Sequence, residues 1–586
     1  MAIKIPSAVL LLLFSFCPKN SLSAQKFDNR WLFGFNNITT TVKAESFDLV
    51  FDTFPPRVEL SDRQAYMLKG GAYICDSAGV TQYYTNNCQI WQGDAKLVMG
   101  ADSLTTEPWE IEWCRKYRDH PYVFYTLFLP SSRNKDRIFF FNKSTIETSF
   151  PIYQIYQTNF RYSVIQKDSN GNSKRIIKDK KLLDKKIGYG QMTAVKHGNG
   201  RDWWLPVPEE IGNKIYMVLI NNDSVYLHHT QQLGPEWNGS GGFQASFSPD
   251  GSKYVRYNRF HGVYIYDFDR CDGLLSNLVH FPFNETTQGI FGGCAIAPNN
   301  RYLYVSDLDY LYQFDLQAAD IRASKQLVES YDGYVKPFPT KFTYIVNAPD
   351  GRMYIIPPNT CQVIHVINRP NLPAAQCDFR QHEIEFPYDY ANPPIFPNHR
   401  LGPLDGSPCD TLGMNNYPLA GFRPEPSDTS SRTLWLWDIS DYQPAIWHWD
   451  FGDPASGSAN TSTDTNAVHT FSGPGFYTVC LTVRNAYGSN TKCKVVEVKT
   501  SAVENNSTAV EYLRVLPNPT TGMVRFPWSD SITRHIRVHD STGRVVLSLT
   551  MDGQEMDMSE LPGGVYTLRI EEKDRRYTGK VVVLPH

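Results

Sequence analysis

One segment of the chain reads Phe247-Ser248-Pro249-Asp250-Gly251-Ser252-Lys253-Tyr254-Val255. An apolar stretch ends before Pro249, and an aromatic-rich stretch begins at Tyr254. Proline presets the backbone angle at the start of a tight turn, and glycine accepts the left-handed conformation that the turn needs next. The segment therefore predicts two antiparallel strands joined by a Pro-Asp-Gly turn.

The same pattern returns along the middle of the chain. Related segments lie at residues 196–204, 296–304 and 347–355, and successive turns are 49 to 51 residues apart. Further strand patterns follow two of the turns, at 262–267 and 310–315. Repeats of this length with several short strands are typical of β-propeller blades, including the kelch-sized class.

Weaker turns of the same kind lie near residues 76–79 and 130–132, so that six repeats can be counted. We predict an all-β chain whose propeller spans residues 26–410 and has seven blades, with six as the alternative. We expect the last blade to be closed by strands from both ends of the propeller.

Composition agrees with several all-β domains. The 586 residues are too many for one hydrophobic core, and aromatic residues, which favour strands, make up 13%. The formal net charge of -3 gives no reason to expect nucleic acid as a partner. Basic residues are concentrated only at 174–186. We expect a solvated strand or hairpin there, with its apolar residues turned inward, and a patch for an acidic polymer is the alternative.

The N-terminus has the pattern of a signal peptide at residues 1–24. Lys4 precedes an apolar stretch at 8–16, and small residues lead to a predicted cleavage between Ala24 and Gln25. Cys17 would suit a lipoprotein, but Phe16 occupies a position that normally holds a small residue. The stretch is too short to span a bilayer comfortably, and we expect no transmembrane segment in the mature protein. The ten remaining cysteines agree with export to an oxidising compartment.

Three segments of the first 400 residues resemble a known family. Residues 31–34, 193–204 and 248–251 look like secreted WD-repeat-like propellers of gliding-type bacteria. The resemblance covers roughly residues 26–400 and is most specific at 193–204. It implies a propeller fold and an exported location, and it implies no established catalytic residues.

A second domain is expected at residues 425–500. The segments 449–453, 468–471 and 473–483 closely resemble the polycystic-kidney-disease (PKD) domain, an immunoglobulin-like β-sandwich. A hairpin turn at 486–489 would place Cys480 opposite Cys493, so we expect a disulfide between them. Asp450 and Asp453 are candidate calcium ligands, although carboxylates beside a turn more often accept hydrogen bonds from backbone N–H groups.

Residues 510–586 resemble the type A C-terminal sorting domain of the type IX secretion system. The motif residues are Pro517, Asn518, Pro519, Gly522, Asp540, Gly543, Arg544, Leu561, Pro562, Gly564 and Tyr566. The resemblance implies a periplasmic intermediate, recognition by the outer-membrane translocon, and attachment to lipopolysaccharide after removal of the tail. An ordinary terminal β-sandwich is the alternative.

Catalytic and cofactor motifs are absent from the sequence. There is no H-E-x-x-H, no G-x-S-x-G, no P-loop and no dinucleotide fingerprint. His228-His229 is interpreted as a strand end, and the aspartates at 267, 269 and 272 as turn residues rather than calcium ligands. Glu209 and Glu210 might suggest a pair of catalytic carboxylates. Neighbouring residues of a strand point to opposite faces, however, so the two side chains are poorly placed to flank one bond. No cofactor is expected apart from the calcium candidate.

We therefore predict an exported surface or secreted protein with a binding, adhesion or structural role. The propeller would present loops to a glycan or protein ligand. The alternative is a secreted enzyme that degrades polysaccharide or peptide. Propellers assemble such sites from loops around the central channel, one residue per blade, and leave no contiguous motif.

Overall fold

Each repeat turn connects the first and second strands of an antiparallel sheet. The computed structural model describes residues 26–34, 45–63, 67, 71–105, 107–118, 126–148, 154–188, 190, 192–222, 224–237, 244–258, 260–283, 291–358, 360–390, 394, 396–427, 430–499, 510–512, 515, 520–526, 532–540, 544–572 and 575–584. The chain divides into two compact units, Met1–Lys499 and Thr500–His586. The predicted cleavage residues Ala24 and Gln25 lie outside the described residues.

Seven antiparallel sheets follow one another along the first unit, and we number them blades 1 to 7. Blade 1 contains β1 (Arg30–Phe33), β2 (Ser46–Val50) and β3 (Arg57–Ser61), and blade 2 contains β4 (Tyr73–Cys75), β5 (Thr81–Thr85) and β6 (Ile90–Gln92). The helix α1 (Pro108–Tyr117) follows, tied to blade 2 by the Cys88–Cys114 disulfide. Blade 3 contains β7 (Thr126–Pro130), β8 (Arg137–Thr148), β9 (Gln154–Lys167) and β10 (Ser173–Leu183).

The remaining four blades each have four strands. Blade 4 contains β11 (Val195–Lys196), β12 (Trp203–Pro208), β13 (Gly212–Asn221) and β14 (Ser224–Trp237); blade 5 contains β15 (Gln244–Phe247), β16 (Lys253–Asn258), β17 (Gly262–Asp269) and β18 (Leu274–Phe281). Blade 6 contains β19 (Gly293–Ile296), β20 (Tyr302–Asp307), β21 (Tyr310–Asp315) and β22 (Gln326–Ser330). Blade 7 contains β23 (Tyr344–Asn347), β24 (Met353–Ile356), β25 (Cys361–Ile367), a 3-10 turn (Ala374–Gln376) and β26 (Phe379–Tyr390). The prediction of seven blades is confirmed.

The repeat turns adopt the backbone conformation that their residues predict. Gly200, Gly251, Asn300 and Gly351 have φ angles of 74°, 74°, 60° and 76°, all in the left-handed region. Glycine enters this region without steric cost, and asparagine enters it more easily than most residues. The four turns are thus structurally equivalent and lie at the same end of their blades.

The first strands of the blades face the central axis. Gln244 of β15 accepts hydrogen bonds at Oε1 from the backbone N–H groups of Cys294 (3.2 Å) and Ile345 (3.0 Å). Its Nε2 donates to the carbonyl of Ile345 (2.6 Å). One buried amide therefore joins the inner strands of blades 5, 6 and 7, as expected where blades converge.

The propeller ring closes differently from the prediction. No described sheet combines strands from both ends of the domain. Blades 1 and 7 instead pack face to face through aromatic rings, with Trp31 5.1 Å from Tyr354 and Phe33 4.8 Å from Tyr390. Arg400 adds a double hydrogen bond to Asp28, with Nη1 donating to Oδ2 at 2.7 Å. Side-chain packing and an ion pair thus take the place of a shared sheet.

The expectation for the basic segment is also partly wrong. β10 is the outer strand of blade 3, as a solvated strand requires, but Ile176 and Ile177 are exposed and Arg175 is buried. Arg175 donates hydrogen bonds to the carbonyls of Gly100 and Ser103 and to the Asp179 carboxylate. Shifts in the strand register around Ile177 break the alternation of inward and outward side chains.

Two further sheets form a sandwich at the end of the first unit. One contains β27 (Phe422–Ser427), β28 (Ser430–Asp438) and β31 (Ala467–Thr470). The other contains β29 (Ile446–Asp450), β30 (Thr461–Ser462), β32 (Gly475–Asn485) and β33 (Gly488–Val498), with a 3-10 segment at Pro454–Asn460. Trp449, Val479, Leu481 and Val483 are buried between the sheets. The predicted immunoglobulin-like sandwich is confirmed.

The second unit is a small all-β domain. Its five-stranded sheet contains β34 (Val510–Tyr512), β36 (Arg534–His539), β37 (Val545–Met551), β39 (Gly564–Glu572) and β40 (Arg575–Val583). Its two-stranded sheet contains β35 (Met523–Arg525) and β38 (Glu555–Asp557). Ile536, Leu568, Ile570 and Val581 are fully buried in its core. The second unit thus agrees with the all-β fold class that the sequence predicts.

Candidate functional site

A cavity of about 600 Å3 lies at the end of the propeller where the repeat turns are found. The turn prolines Pro249, Pro298 and Pro349 line it, together with residues 437–444 of the sandwich. Asn371, Gln443, Thr465 and Asn466 are exposed lining residues, so the cavity opens to solvent along this rim. Its volume falls within the range of small-molecule sites, about 300 to 1,000 Å3.

The segment between propeller and sandwich, residues 396–421, crosses this end of the propeller, and we call it the strap. Asn398 Nδ2 donates to the carbonyl of Pro249 (2.6 Å), and Arg270 Nη2 donates to that of Gly402 (2.6 Å). The Cys271–Cys409 disulfide fastens the strap to the outer turn of blade 5. The strap is therefore a fixed wall of the cavity.

A chain of three charged groups joins the first residues of the propeller to the sandwich. Arg400 of the strap pairs with Asp28, and its Nε lies 3.6 Å from Oδ2 of Asp441. Burial raises the pKa of Asp441 to about 7, although the Arg400 guanidinium opposes the rise. Burial alone would lower the pKa of Arg400, but its carboxylate partners hold it above the usual value.

Aromatic and guanidinium groups fix the sandwich against blade 7. The rings of Trp435 and Trp437 stack with centroids 5.7 Å apart, and the Arg369 guanidinium lies over both at 5.4 and 5.9 Å. Glu425 accepts hydrogen bonds from Arg369 (2.9 Å) and from Trp437 Nε1 (2.8 Å). Such partly buried cation–π contacts favour a rigid joint, so the sandwich is a permanent part of the cavity wall.

The charged side chains that line the cavity balance one another. They are four aspartates and four arginines: Asp28, Asp250, Asp438, Asp441, Arg270, Arg369, Arg400 and Arg423. The Arg270 guanidinium donates its hydrogen bonds to backbone carbonyls, and its Nε donates to the carbonyl of Lys196 at 2.9 Å. Asp438 accepts from the Ser440 hydroxyl at 2.5 Å. The four pairs of opposite charge therefore cancel once Asp441 is ionised, above about pH 7.

Four of the lining asparagines add polar groups that are fixed in orientation. Asn300, Asn371 and Asn466 each accept one backbone N–H at Oδ1, from Asp250 (3.0 Å), Asn299 (2.9 Å) and Asp438 (2.9 Å). Asn347 Nδ2 donates to the carbonyl of Ile296 (2.9 Å). Within the described ranges, the other half of each amide has no protein partner. Each side chain is thus held in place by one hydrogen bond and keeps a second group for a ligand.

The candidate calcium ligands, Asp450 and Asp453, lie at a turn of the sandwich. Asp453 is buried and accepts hydrogen bonds from the backbone N–H of Ser472 (2.8 Å) and from its hydroxyl (2.5 Å). Asp450 accepts from the backbone N–H of Gly452 (2.9 Å). Across the described residues, no three His, Cys, Asp or Glu side chains are grouped closely enough to hold a metal ion.

The other predicted residues fall in separate places. Cys480 and Cys493 lie directly opposite each other in β32 and β33 and form a disulfide, with Cα atoms 4.1 Å apart. The ring nitrogens Nδ1 of His228 and His229 are 2.8 Å apart, and both residues lie inside β14 (Ser224–Trp237) of blade 4, so their interpretation as a strand end is wrong. Asp269 Oδ1 accepts the backbone N–H of Cys271 (2.7 Å), which is turn chemistry. Neither the histidine pair nor Asp269 lines the cavity.

Several sorting-motif residues form turns in the second unit. Asp540 Oδ1 accepts the backbone N–H of Arg544 (3.0 Å), and Tyr566 donates its hydroxyl to the carbonyl of Pro562 (2.7 Å). The carbonyl of Gly522 accepts the backbone N–H of Met558 (2.9 Å), Leu561 lies at the turn before β39, and Gly564 is the first residue of β39. Pro517, Asn518, Pro519 and Gly543 lie outside the described residues. The part that each residue plays in sorting stays a prediction.

Sequence reasoning missed the cavity, because its walls come from distant parts of the chain. Asn300 belongs to a repeat turn, Asn371 follows β25 of blade 7, and Asn466 lies in the sandwich. The repeat turns were a usable signal for one wall. Nothing local in the sequence indicates that the strap and the sandwich would cover these turns.

Family models match two parts of the chain. The model described as PKD domain matches residues 428–500, and the model described as secretion system C-terminal sorting domain matches residues 514–584. No curated protein matches the chain. Among the described helices, none has the length and apolar character needed to cross a membrane.

Solved structures resemble separate parts of the chain. The PKD1 domain of Vibrio anguillarum Epp is 24% identical and covers 15% of this chain and 99% of its own, with a TM-score of 0.13. Sqt1 of Saccharomyces cerevisiae is 9% identical and covers 68% of this chain and 89% of its own, with a TM-score of 0.33. The β-propeller domain of Myceliophteria thermophila Cps50 (Swd1) is 7% identical and covers 54% and 87%, with a TM-score of 0.31. The chain thus carries a PKD domain and a type IX secretion sorting domain after a β-propeller, and its sorting domain marks it as a secreted or cell-surface-attached protein.

Proposed function

We propose that this protein is a surface or secreted binding protein that holds its ligand in the cavity between the repeat turns, the strap and the sandwich. One observation carries the proposal. Four of the asparagines that line the cavity are each held by one hydrogen bond, and each keeps half of its amide uncommitted. A purely structural interface tends to satisfy its polar groups internally, whereas a binding site keeps oriented donors and acceptors for a ligand.

The rim of the cavity allows a direct test. Thr465 lines the cavity and is exposed, so Thr465→Trp should fold and block the opening. Thr463 is exposed on the same loop but does not line the cavity, and Thr463→Trp is the matched control. Glycan and peptide arrays are probed with the full secreted chain and both variants. We expect Thr465→Trp to lose the array signal and Thr463→Trp to keep it; equal signals from the two variants would refute the proposal.

A second candidate function is hydrolysis of polysaccharide or peptide, and one observation favours it. Asp441 lines the cavity with a pKa raised to about 7, and a carboxyl with such a pKa can donate a proton near neutral pH. Mass spectrometry of array-positive ligands after incubation with the protein distinguishes the two functions. Intact ligand supports binding alone, and shortened ligand that Asp441→Asn fails to produce supports the enzyme.

The export route gives the protein its setting. The sorting domain engages the type IX secretion system. We propose that the translocon then removes the tail, about residues 510–586, and that the product becomes attached to lipopolysaccharide. The proposed mature organisation is a propeller at 26–410 followed by the PKD domain at 425–500. The mass of the protein recovered from the cell surface, with and without lipopolysaccharide extraction, tests both steps.

A further inference from the structure

We infer that the cavity takes a neutral, hydroxyl-rich ligand, namely a short stretch of an uncharged oligosaccharide. The inference rests on the proposed function and names the chemical class of its ligand. It follows from the charge, the hydrogen-bonding groups and the apolar surfaces of the cavity, taken in turn.

Charge comes first. The four aspartates and four arginines of the lining cancel once Asp441 is ionised, above about pH 7, and Arg400 lies between Asp28 and Asp441. Moving an anionic ligand out of water costs free energy unless a free cation receives it. Arg369 is already paired with Glu425, and Arg270 with backbone carbonyls. Arg423 donates from Nη2 to the carbonyl of Asn368 (3.0 Å), and its two unpartnered nitrogens, Nε and Nη1, are buried and not exposed to a ligand. A uronate, sulfate or phosphate group therefore finds no accessible cation among the described lining that is free to receive it.

The amide groups fit hydroxyls instead. Asn300, Asn371 and Asn466 each keep Nδ2 as a donor, and Asn347 keeps Oδ1 as an acceptor. The assignment of oxygen and nitrogen is fixed, because in each case a backbone group selects one end of the amide. A sugar hydroxyl both donates and accepts, so it can pair with either kind of group. Three donors and one acceptor on separate walls suit a ligand with hydroxyls on several sides.

Apolar surface separates these amides. The prolines Pro298, Pro349 and Pro370 line the cavity, and they present ring carbons and no backbone N–H. Phe247 and Trp437 add aromatic area. A pyranose ring has apolar C–H faces between its hydroxyls, and this alternation of apolar and polar surface matches that of the cavity wall.

The test compares ligand classes and then single amides. The full secreted chain is titrated with uncharged oligosaccharides, uronate-containing oligosaccharides, sulfated oligosaccharides and short peptides. We expect the uncharged oligosaccharides to bind most tightly, with a Kd that stays unchanged when NaCl rises from about 0.05 M to about 0.5 M, because salt screens only charged partners. Tightest binding of an anionic oligosaccharide or of a peptide would overturn the inference.

Alanine variants locate the contacts. Asn371 and Asn466 are exposed, so Asn371→Ala and Asn466→Ala should keep the fold, which thermal unfolding checks. Each removes one neutral hydrogen bond to the ligand and should raise the Kd about two- to tenfold. Asn170→Ala is the control, since Asn170 is an exposed turn residue of blade 3 outside the cavity.

The results separate the ligand class from the function. Suppose that Thr465→Trp abolishes binding while both alanine variants bind like Asn170→Ala. The cavity is then the binding site, but its amides do not form hydrogen bonds with ligand hydroxyls, and this inference is wrong. If Thr465→Trp also leaves binding intact, the proposed function itself is wrong. Loss of binding in Thr465→Trp together with a rise in Kd of about two- to tenfold in both alanine variants, with the two controls unchanged, supports both.

Discussion

The surroundings of Asp441 differ from those of an ordinary surface carboxylate. It lies in the turn after β28, close to Arg400 of the strap, and burial raises its pKa to about 7. In the unfolded chain the same carboxyl ionises near its usual value of about 4. Between these two values the folded protein keeps the proton and the unfolded chain releases it. The stabilisation from the protonated carboxyl is therefore complete at low pH and is lost as pH rises through about 7.

This reasoning predicts a pH-dependent effect of Asp441→Asn. Asparagine does not titrate, so the variant lacks the loss of stability that the wild type suffers as Asp441 ionises. We expect the Tm of the variant minus the Tm of the wild type to be larger at about pH 8 than at about pH 5. Thermal unfolding of both proteins at the two pH values measures this difference. A Tm difference that is the same at both pH values would contradict the account of Asp441.

At the scale of elements, the strap connects parts of the chain that are far apart in sequence. The Cys271–Cys409 disulfide joins residues 138 positions apart, whereas the Cys480–Cys493 disulfide spans 13 positions within one hairpin. A cross-link restricts the unfolded chain more when it closes a longer loop. The strap disulfide should therefore contribute more to stability than the hairpin disulfide does.

Replacing each pair by serine tests this difference. The chain-entropy estimate gives a loss for Cys271→Ser/Cys409→Ser that is about 2 kcal/mol larger than the loss for Cys480→Ser/Cys493→Ser. The free energy of unfolding from denaturant titration, under non-reducing conditions, provides the comparison. Losses of equal size would mean that the strap is held by its hydrogen bonds and not by the disulfide.

Elements with local signals could be predicted from the sequence. The turns at Gly251 and Gly351 require a left-handed residue, and the repeat spacing gives the blade to which each belongs. The exposed Ile176 and Ile177 of β10 could not be predicted, because irregular pairing with β9 changes which side chains face inward. Ring closure through Trp31 and Arg400 could not be predicted either, since it depends on contacts between the two ends of the propeller.

At the scale of the whole molecule, modules that are recognisable separately create a site together. The motifs at residues 449–453 and 510–586 identify the PKD domain and the sorting domain, because each motif lies within one domain. The cavity depends instead on how the sandwich docks against blade 7, through Arg369, Trp437 and Glu425. Such docking leaves no contiguous sequence pattern. The function of the assembled unit was therefore less predictable than the fold of its parts.

The account places the ligand at the turn end of the propeller, and hydrogen exchange tests this placement most directly. The full chain is compared with and without the uncharged oligosaccharide that binds it most tightly. We predict slower exchange in the turns at 248–252 and 298–301 and in residues 464–466, and no change in the opposite-end turns at 260–261 and 308–309. Protection at the opposite end, with the repeat turns unchanged, would contradict the central claim that this cavity is the binding site.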